Sequence, residues 1–360
     1  MSTTKVLFIG AGAIGASVAA WLAECGGLVA VMGRGTTQAA LRATGITIYE
    51  FAAPEATRRT VRVNVVDRPE EAGDVDIVVL AVKNYSLEAA ARQVRDALGD
   101  RPIIVSMANG IDNQRILPKF FSRVVYCVVG YNARQDAPAV IGYQRKGPLL
   151  IGALDPSRDA DLRLVHAVLA PACPTHIVER LQDAVHTKIV INLTNALDAL
   201  VGRGARPLSN FAAYQNLLSQ TLREGVRIVR AAGYREHRIP GIPSFAFLTL
   251  AAALPGWLLR PIFKRRLQAM AMSSMTQDVM LRGAHDTELE SITGYIVRLA
   301  AEHGVPAPCN RTIYRLGRER FHPGFEPMRC EDVLAAVDEE KRAQQKRGGV
   351  APPLDLGKAS

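Results

Sequence analysis

An apolar run that stops at a glycine-rich turn opens the chain, and this turn constrains the fold more than any other feature. Lys5-Val6-Leu7-Phe8-Ile9 reads as a short buried strand. Gly10-Ala11-Gly12-Ala13-Ile14-Gly15 follows at once, and Ala13–Ala23 carries a helical apolar face. A Gly-x-Gly-x-x-Gly string between a strand and a helix is the turn of a dinucleotide-binding unit. The glycines permit a tight turn and let backbone approach a pyrophosphate. The helix N-terminus adds free N–H groups and partial positive charge. Gly10, Gly12, Ala13, Ile14 and Gly15 are therefore expected to bind a cofactor. Without its flanking elements the same string would be only a turn.

The pattern after the turn extends this reading. Leu28–Met32, Ile77–Val82 and Ile103–Met107 are short apolar runs, and a helical stretch near Leu87–Leu98 separates the last two. Such alternation predicts an α/β fold, a Rossmann domain with a parallel sheet and helices on both faces. Ile46–Tyr49 and Val61–Val66 read as an antiparallel addition. Val124–Val129, Val140–Gln144 and Leu149–Ile151 read as further strands finishing the sheet. From about Leu181 the periodicity becomes helical, over Val185–Leu200, Phe211–Ala232, Ile292–His303 and Thr312–Arg320. Gly233, Gly304 and Pro306 act as stops. The expected organisation is a Rossmann domain over 1–180, an all-α catalytic domain over 181–325, and a C-terminal helix with a mobile tail over 326–360.

The second strand ends Val31-Met32-Gly33-Arg34. Sites for NAD usually place an acid here, for the ribose hydroxyls. This chain instead offers Arg34, whose guanidinium can bind a 2′-phosphate bidentately. The expected cofactor is NADP, as NADPH; an exposed arginine with no ligand is the plain alternative. No metal is expected.

Charge and cysteine usage narrow the partners. The formal net charge of +10 suits an anionic ligand. The basic residues form only short clusters, such as Lys264-Arg265-Arg266, so nucleic acid is not expected. Cys25, Cys127, Cys173, Cys309 and Cys330 are scattered, odd in number and without metal-type spacing, as in reduced thiols of a cytoplasmic protein. The start of the chain runs into a strand without a signal-peptide pattern. The longest apolar stretch, Phe245–Leu259, is too short for a spanning helix and is interrupted by Pro255-Gly256, so no membrane partner is expected. That stretch reads as a helical pair covering a site or making a homodimer contact.

Several strings then occur in a telling order. Val82-Lys83-Asn84-Tyr85 and Asn109-Gly110-Ile111 each follow a strand. Lys188-Ile189-Val190-Ile191-Asn192 lies in the first helix of the second half. Ser273-Ser274-Met275-Thr276-Gln277-Asp278 and Thr287-Glu288-Leu289-Glu290-Ser291-Ile292 come later. Together they resemble the ketopantoate reductase (2-dehydropantoate 2-reductase) family over about residues 5–320. The Ser-Ser-Met-x-Gln-Asp string followed by Thr-Glu is the most specific part. The resemblance implies hydride transfer from NADPH to the ketone of a small 2-oxo acid, in pantothenate biosynthesis. It implies Lys188 as general acid and Glu288 as the residue holding the substrate hydroxyl. It also implies contacts from Asn109, Asn192 and Ser274, with Lys83 beside the cofactor.

Elementary chemistry agrees with this assignment. Hydride addition builds negative charge on oxygen, and a protonated lysine offers both charge and a proton. Lys188 and Asn192, four apart on a helix, share one face. Glu288 could hold Lys188 and favour its charged form. From the residues alone, Lys188 could equally be a surface lysine, and Glu288 an ordinary first-turn acid.

The chain departs from the family on the substrate side. The family's second asparagine, eight residues after the lysine, is Ala196 here, with Asn195 one position earlier as a candidate substitute. His186 replaces a common tryptophan, and Thr293-Gly294 replaces a common Asn-Gly. Three activities remain open: reduction of 2-dehydropantoate, reduction of another 2-oxo acid, and an NADP-binding regulatory role without turnover. A dehydrogenase with a catalytic histidine would begin the same way, with His166, His176 or His186 as that residue.

Overall fold

The computed structural model describes residues 4–254, 256–269, 272–281, 283 and 286–346. They fall into two compact units, divided between Val185 and His186. The expected tail after Gly348 lies outside the described residues.

The first unit contains twelve strands: β1 (Lys5–Ile9), β2 (Leu28–Met32), β3 (Ile46–Glu50), β4 (Arg59–Val61), β5 (Asn64–Val65), β6 (Ile77–Leu80), β7 (Ile103–Ser106), β8 (Val124–Val129), β9 (Ala133–Ala137), β10 (Val140–Tyr143), β11 (Leu149–Gly152) and β12 (Thr175–Ile177). Eight form the main sheet in the order β12-β11-β8-β7-β6-β1-β2-β5. All its neighbouring strands pair in parallel except β8 and β11. The chain leaves β1 for β2 on one side and later returns to β6 on the other. The resulting switch point is where such sheets bind ligands. β6, β7 and β8 are buried along their whole length, which explains why they read as unbroken apolar runs.

Two expectations about the sheet are corrected. Val140–Tyr143 does not finish the main sheet; it joins a second, four-stranded sheet in the order β4-β3-β10-β9. The Val61–Val66 run is not one strand. Arg59–Val61 pairs antiparallel with β3, and Asn64–Val65 crosses to pair in parallel with β2. The second sheet covers the outer side of the Ala13–Glu24 helix, which packs against β2 and against β3, β9 and β10. With apolar neighbours on both sides, that helix is buried from Gly15 through Leu22 and needs no polar face. Its Trp21 packs on Tyr131 and Tyr143, with ring centroids 5.2 and 5.1 Å away. Ser17 meets the Tyr131 hydroxyl at 2.8 Å.

The second unit is helical. The expected Val185–Leu200 helix is two, Leu181–Asn192 and Thr194–Val201, with a turn at Leu193. The long Phe211–Ala231 helix crosses close to that turn, because Gly225 has no side chain. A Cβ there would lie 2.5 Å from the Leu193 Cδ1. The Cys330–Lys346 helix places Cys330, Val333 and Val337 in the core of this unit, so it is not a separate body.

Candidate active site

In the first unit, the glycine turn is shaped by sterics. Gly10 adopts φ +103°, and a Cβ there would lie 2.7 Å from the Ala81 carbonyl oxygen, at the end of β6. A Cβ on Gly15 would collide with the Gly10 carbonyl oxygen. These two glycines let the turn and helix close on the sheet. Gly12 differs, since a Cβ there would meet nothing within 4 Å. The protein's own packing does not require that glycine, whereas a group lying against the turn would. The first helical bond runs from the Ala16 N–H to the Gly12 carbonyl, so the amides of Ala13, Ile14 and Gly15 precede it. No side chain caps this terminus and no acid lies in its first turn. The donor set fits a dinucleotide pyrophosphate.

Arg34 is exposed at the N-cap of the Gly35–Thr44 helix, directly beyond β2. Around it lies a network that sequence reading missed. The Gly33 N–H donates to Gln38 Oε1 at 2.7 Å, and Gln38 Nε2 donates to the Val66 carbonyl and to Asp67. Asp67 is also paired with Arg42, and the hydrogen bond from Arg42 holds its carboxyl below the usual range. An acid therefore does stand near the end of β2, delivered by β5. Only the pairing of β5 with β2 brings it there, and no local signal foretells that pairing.

Lys83 and Asn109 are half-buried in the turns that follow the neighbouring strands β6 and β7. Asn84 joins these turns, because its Nδ2 donates to the Asn109 carbonyl at 2.5 Å. This residue was also missed, although its place beside Lys83 at a helix start was the available signal.

In the second unit, Lys188 is half-buried on the Leu181–Asn192 helix. It makes no hydrogen bond or ion pair among the described residues, so the expected pairing with Glu288 is not formed. Burial pushes its pKa down from 10.5 to about 8. Asn192, one turn further on, is buried. Asn195 is half-buried on the next helix, and Ala196 is fully buried. The turn at Leu193 separates Asn195 from the helix that carries Lys188. Ser274 is half-buried at the start of a short helix capped by Ser273, whose Oγ accepts from the Thr276 N–H. Glu288 is buried, and its carbonyl accepts from the Ser291 hydroxyl.

Both family strings run into π-helical turns, Gln277–Leu281 after Ser274 and Glu290–Gly294 after Glu288. Such turns re-aim side chains and are frequent at functional sites. Of the three candidate histidines, His176 is exposed on β12, and the other two have structural partners. His186 stacks on Tyr234 at 3.5 Å and meets the Tyr295 hydroxyl at 2.7 Å, while His166 meets the Thr175 carbonyl.

The ketopantoate reductase PanE/ApbA family model matches residues 6–156, and the model of that family's C-terminal part matches 180–320. The chain belongs to the ketopantoate reductase family. It is an oxidoreductase acting on a CH–OH group. The 2-dehydropantoate 2-reductase of Halobacterium salinarum is 27% identical over 327 residues, covering 87% of this chain and 98% of the relative. That of Pyrococcus abyssi is 26% identical over 318 residues, covering 87% and 96%. Among solved structures, a PanE/ApbA family ketopantoate reductase from Ralstonia eutropha superposes with a TM-score of 0.67 at 23% identity, covering 94% of this chain and all of that one. A D-mandelate dehydrogenase, solved with NADH and anilino(oxo)acetate, gives 0.71 at 17% with the same coverage. At these identities the two structures share the fold of this ketopantoate reductase family member.

Proposed function

We propose that this protein reduces 2-dehydropantoate to pantoate with NADPH in the cytoplasm, as a step of pantothenate biosynthesis, with Lys188 as the general acid. The observation that carries the reading is the state of Lys188. It is a partly desolvated amine with no partner among the described residues, on a helix face shared with Asn192, in a chain of this family. A lysine with a pKa of about 8 is mostly protonated at neutral pH yet gives its proton up readily.

NADPH, when bound, supplies the hydride. Everything else is assigned to this chain. The amides of Ala13, Ile14 and Gly15 hold the pyrophosphate, and Arg34 the 2′-phosphate. Lys83 and Asn109 flank the nicotinamide half, with Asn84 fixing the Asn109 backbone. Lys188 Nζ stabilises the developing alkoxide and delivers the proton. Asn192 and Ser274 orient the substrate, and Glu288 accepts from its hydroxyl. That acceptor role needs no Lys188–Glu288 pair.

A second reading, reduction of a different 2-oxo acid, is favoured by Ala196 and Asn195. Where the family offers an amide, this chain has a fully buried methyl group, and Asn195 lies in the first turn of a new helix. Steady-state rates with NADPH and NADH across branched, linear and aromatic 2-oxo acids decide between the readings. The expected result is the highest kcat/KM for 2-dehydropantoate, with NADPH preferred over NADH. A higher value for another 2-oxo acid transfers the assignment to that substrate. No turnover with any of them leaves a regulatory NADP-binding role.

A further inference from the structure

The second unit contains a helix that is apolar on both sides. Phe245–Ala253 buries Phe245, Leu248 and Ala251 against its own unit, yet exposes Phe247 and Leu250 on the other side. Leu254, Trp257 and Leu258 continue the exposed apolar surface around the tip and into the Gly256–Ala269 helix. Leu250 is 60% exposed, Trp257 69% and Leu258 50%, so these are not fringes of the core. The tip is anchored, because Gln215 Nε2 donates to the Gly256 carbonyl at 2.9 Å. A surface helix that is apolar all round is a helix with a second partner.

Charge identifies the partner. From Arg238 to Gln277 the sequence carries five Lys or Arg side chains and no acidic one. Arg260, Lys264 and Arg265 are exposed on the helix that begins at the tip. Lys264 follows Trp257 by seven residues and Arg265 follows Leu258 by seven, so each cation lies about 10 Å behind an apolar residue along the same face. An apolar tip with cations set behind it matches the interface of a bilayer, acyl chains outermost and phosphates next. A twofold contact with a second copy would instead bring these cations together with no acid from the segment between them.

We propose that the hairpin tip around Leu250, Trp257 and Leu258 docks on an anionic lipid surface, with Arg260, Lys264 and Arg265 at the phosphate level. The contact is peripheral. Among the described residues no helix is long and apolar enough to cross a membrane. The length argument that set membranes aside excludes a span, not a helix pair lying on the surface.

Trp257 is its own reporter, because the chain's other tryptophan, Trp21, is fully buried. The full chain is titrated with vesicles of phosphatidylcholine alone and with one-third phosphatidylglycerol, following tryptophan emission and co-sedimentation. Expected are a blue shift and sedimentation with the anionic vesicles only. At about fivefold per basic residue, the pair Lys264→Gln and Arg265→Gln weakens binding about 25-fold. Trp257→Ser with Leu258→Ser also abolishes it, at an unchanged Tm. Absence of binding by the unaltered protein overturns the proposal. So does equal binding to neutral vesicles, or a dimer in sedimentation velocity that the serine variant dissolves.

Discussion

The glycine turn and the lysine helix are the two halves of the proposed chemistry, and they are built on opposite terms. The turn is specified by backbone sterics. A Cβ at Gly10 or Gly15 would strike the chain itself, while one at Gly12 would meet nothing, and the proposed function keeps that space for the cofactor. The helix is specified by a cost. It carries Lys188 in surroundings that disfavour its charge, with no carboxylate paired to it among the described residues. A site of the first kind is stable in itself. On the proposed function, one of the second kind is maintained for its reactivity.

The largest effect separates chemistry from binding. Lys188→Ala lowers kcat by about 10²–10⁴-fold, the ordinary worth of a positioned general acid. NADPH affinity, read by fluorescence titration, stays within a few-fold. Near-normal turnover in that variant would remove the helix from the catalytic half altogether.

The glycines divide next. Gly15→Ala forces the helix start off the Gly10 carbonyl and is expected to cost about 1–3 kcal/mol of stability or more. Gly12→Ala has no such collision, so its Tm should match the parent protein while NADPH affinity falls by at least tenfold. If Gly12→Ala bound NADPH normally, the open space at that position would serve no ligand.

Arg34→Ala tests how the turn's unit selects its cofactor. Loss of a charge-assisted bidentate contact costs about 1.5–3 kcal/mol, so kcat/KM with NADPH should fall about 10–100-fold while NADH is spared. Asp67 sharpens this. Its carboxylate is held by Arg42 and Gln38 close to the end of β2. An NADH preference that survives Arg34→Ala would assign nucleotide selection to that acid instead.

What could be read in the sequence follows from the same contrast. The turn, β1, β2 and the buried strands β6 and β7 were legible because their determinants are contiguous. Glycine spacing and unbroken apolar runs carry the physics within a few residues. Asp67 was not legible, since its significance lies in the pairing of β5 with β2, and Asn84 offered only its place beside Lys83 while its contact depends on the approach of two turns. The second sheet was misread because β10 is as apolar as a main-sheet strand. Only the need to cover the outer face of the Ala13–Glu24 helix distinguishes it. Lys188 and Glu288 could be singled out through the family strings alone. An ion pair between them was a natural guess from charge, and the folded chain does not make it.

The smallest effect, on stability, is the most direct test of the cost assigned to the lysine helix. Burial lowers the pKa of Lys188 in the folded state below its unfolded value. Below pH 8 both states bind the proton, and the folded protein bears the full penalty. Between about pH 8 and 10.5 the unfolded chain binds more protons, so stability rises with pH across that window. Lys188→Met keeps the apolar stem and removes the charge. Because Lys188 is only half-buried, solvent reduces the gain to about 1–2 kcal/mol at pH 7, or a Tm higher by about 1–3 °C. The gain should shrink toward zero by pH 10.5, where the lysine is neutral in both states. A methionine variant less stable than its parent at pH 7 would mean that the ammonium is held by a favourable contact. The lysine helix and the glycine turn would then be built on the same terms.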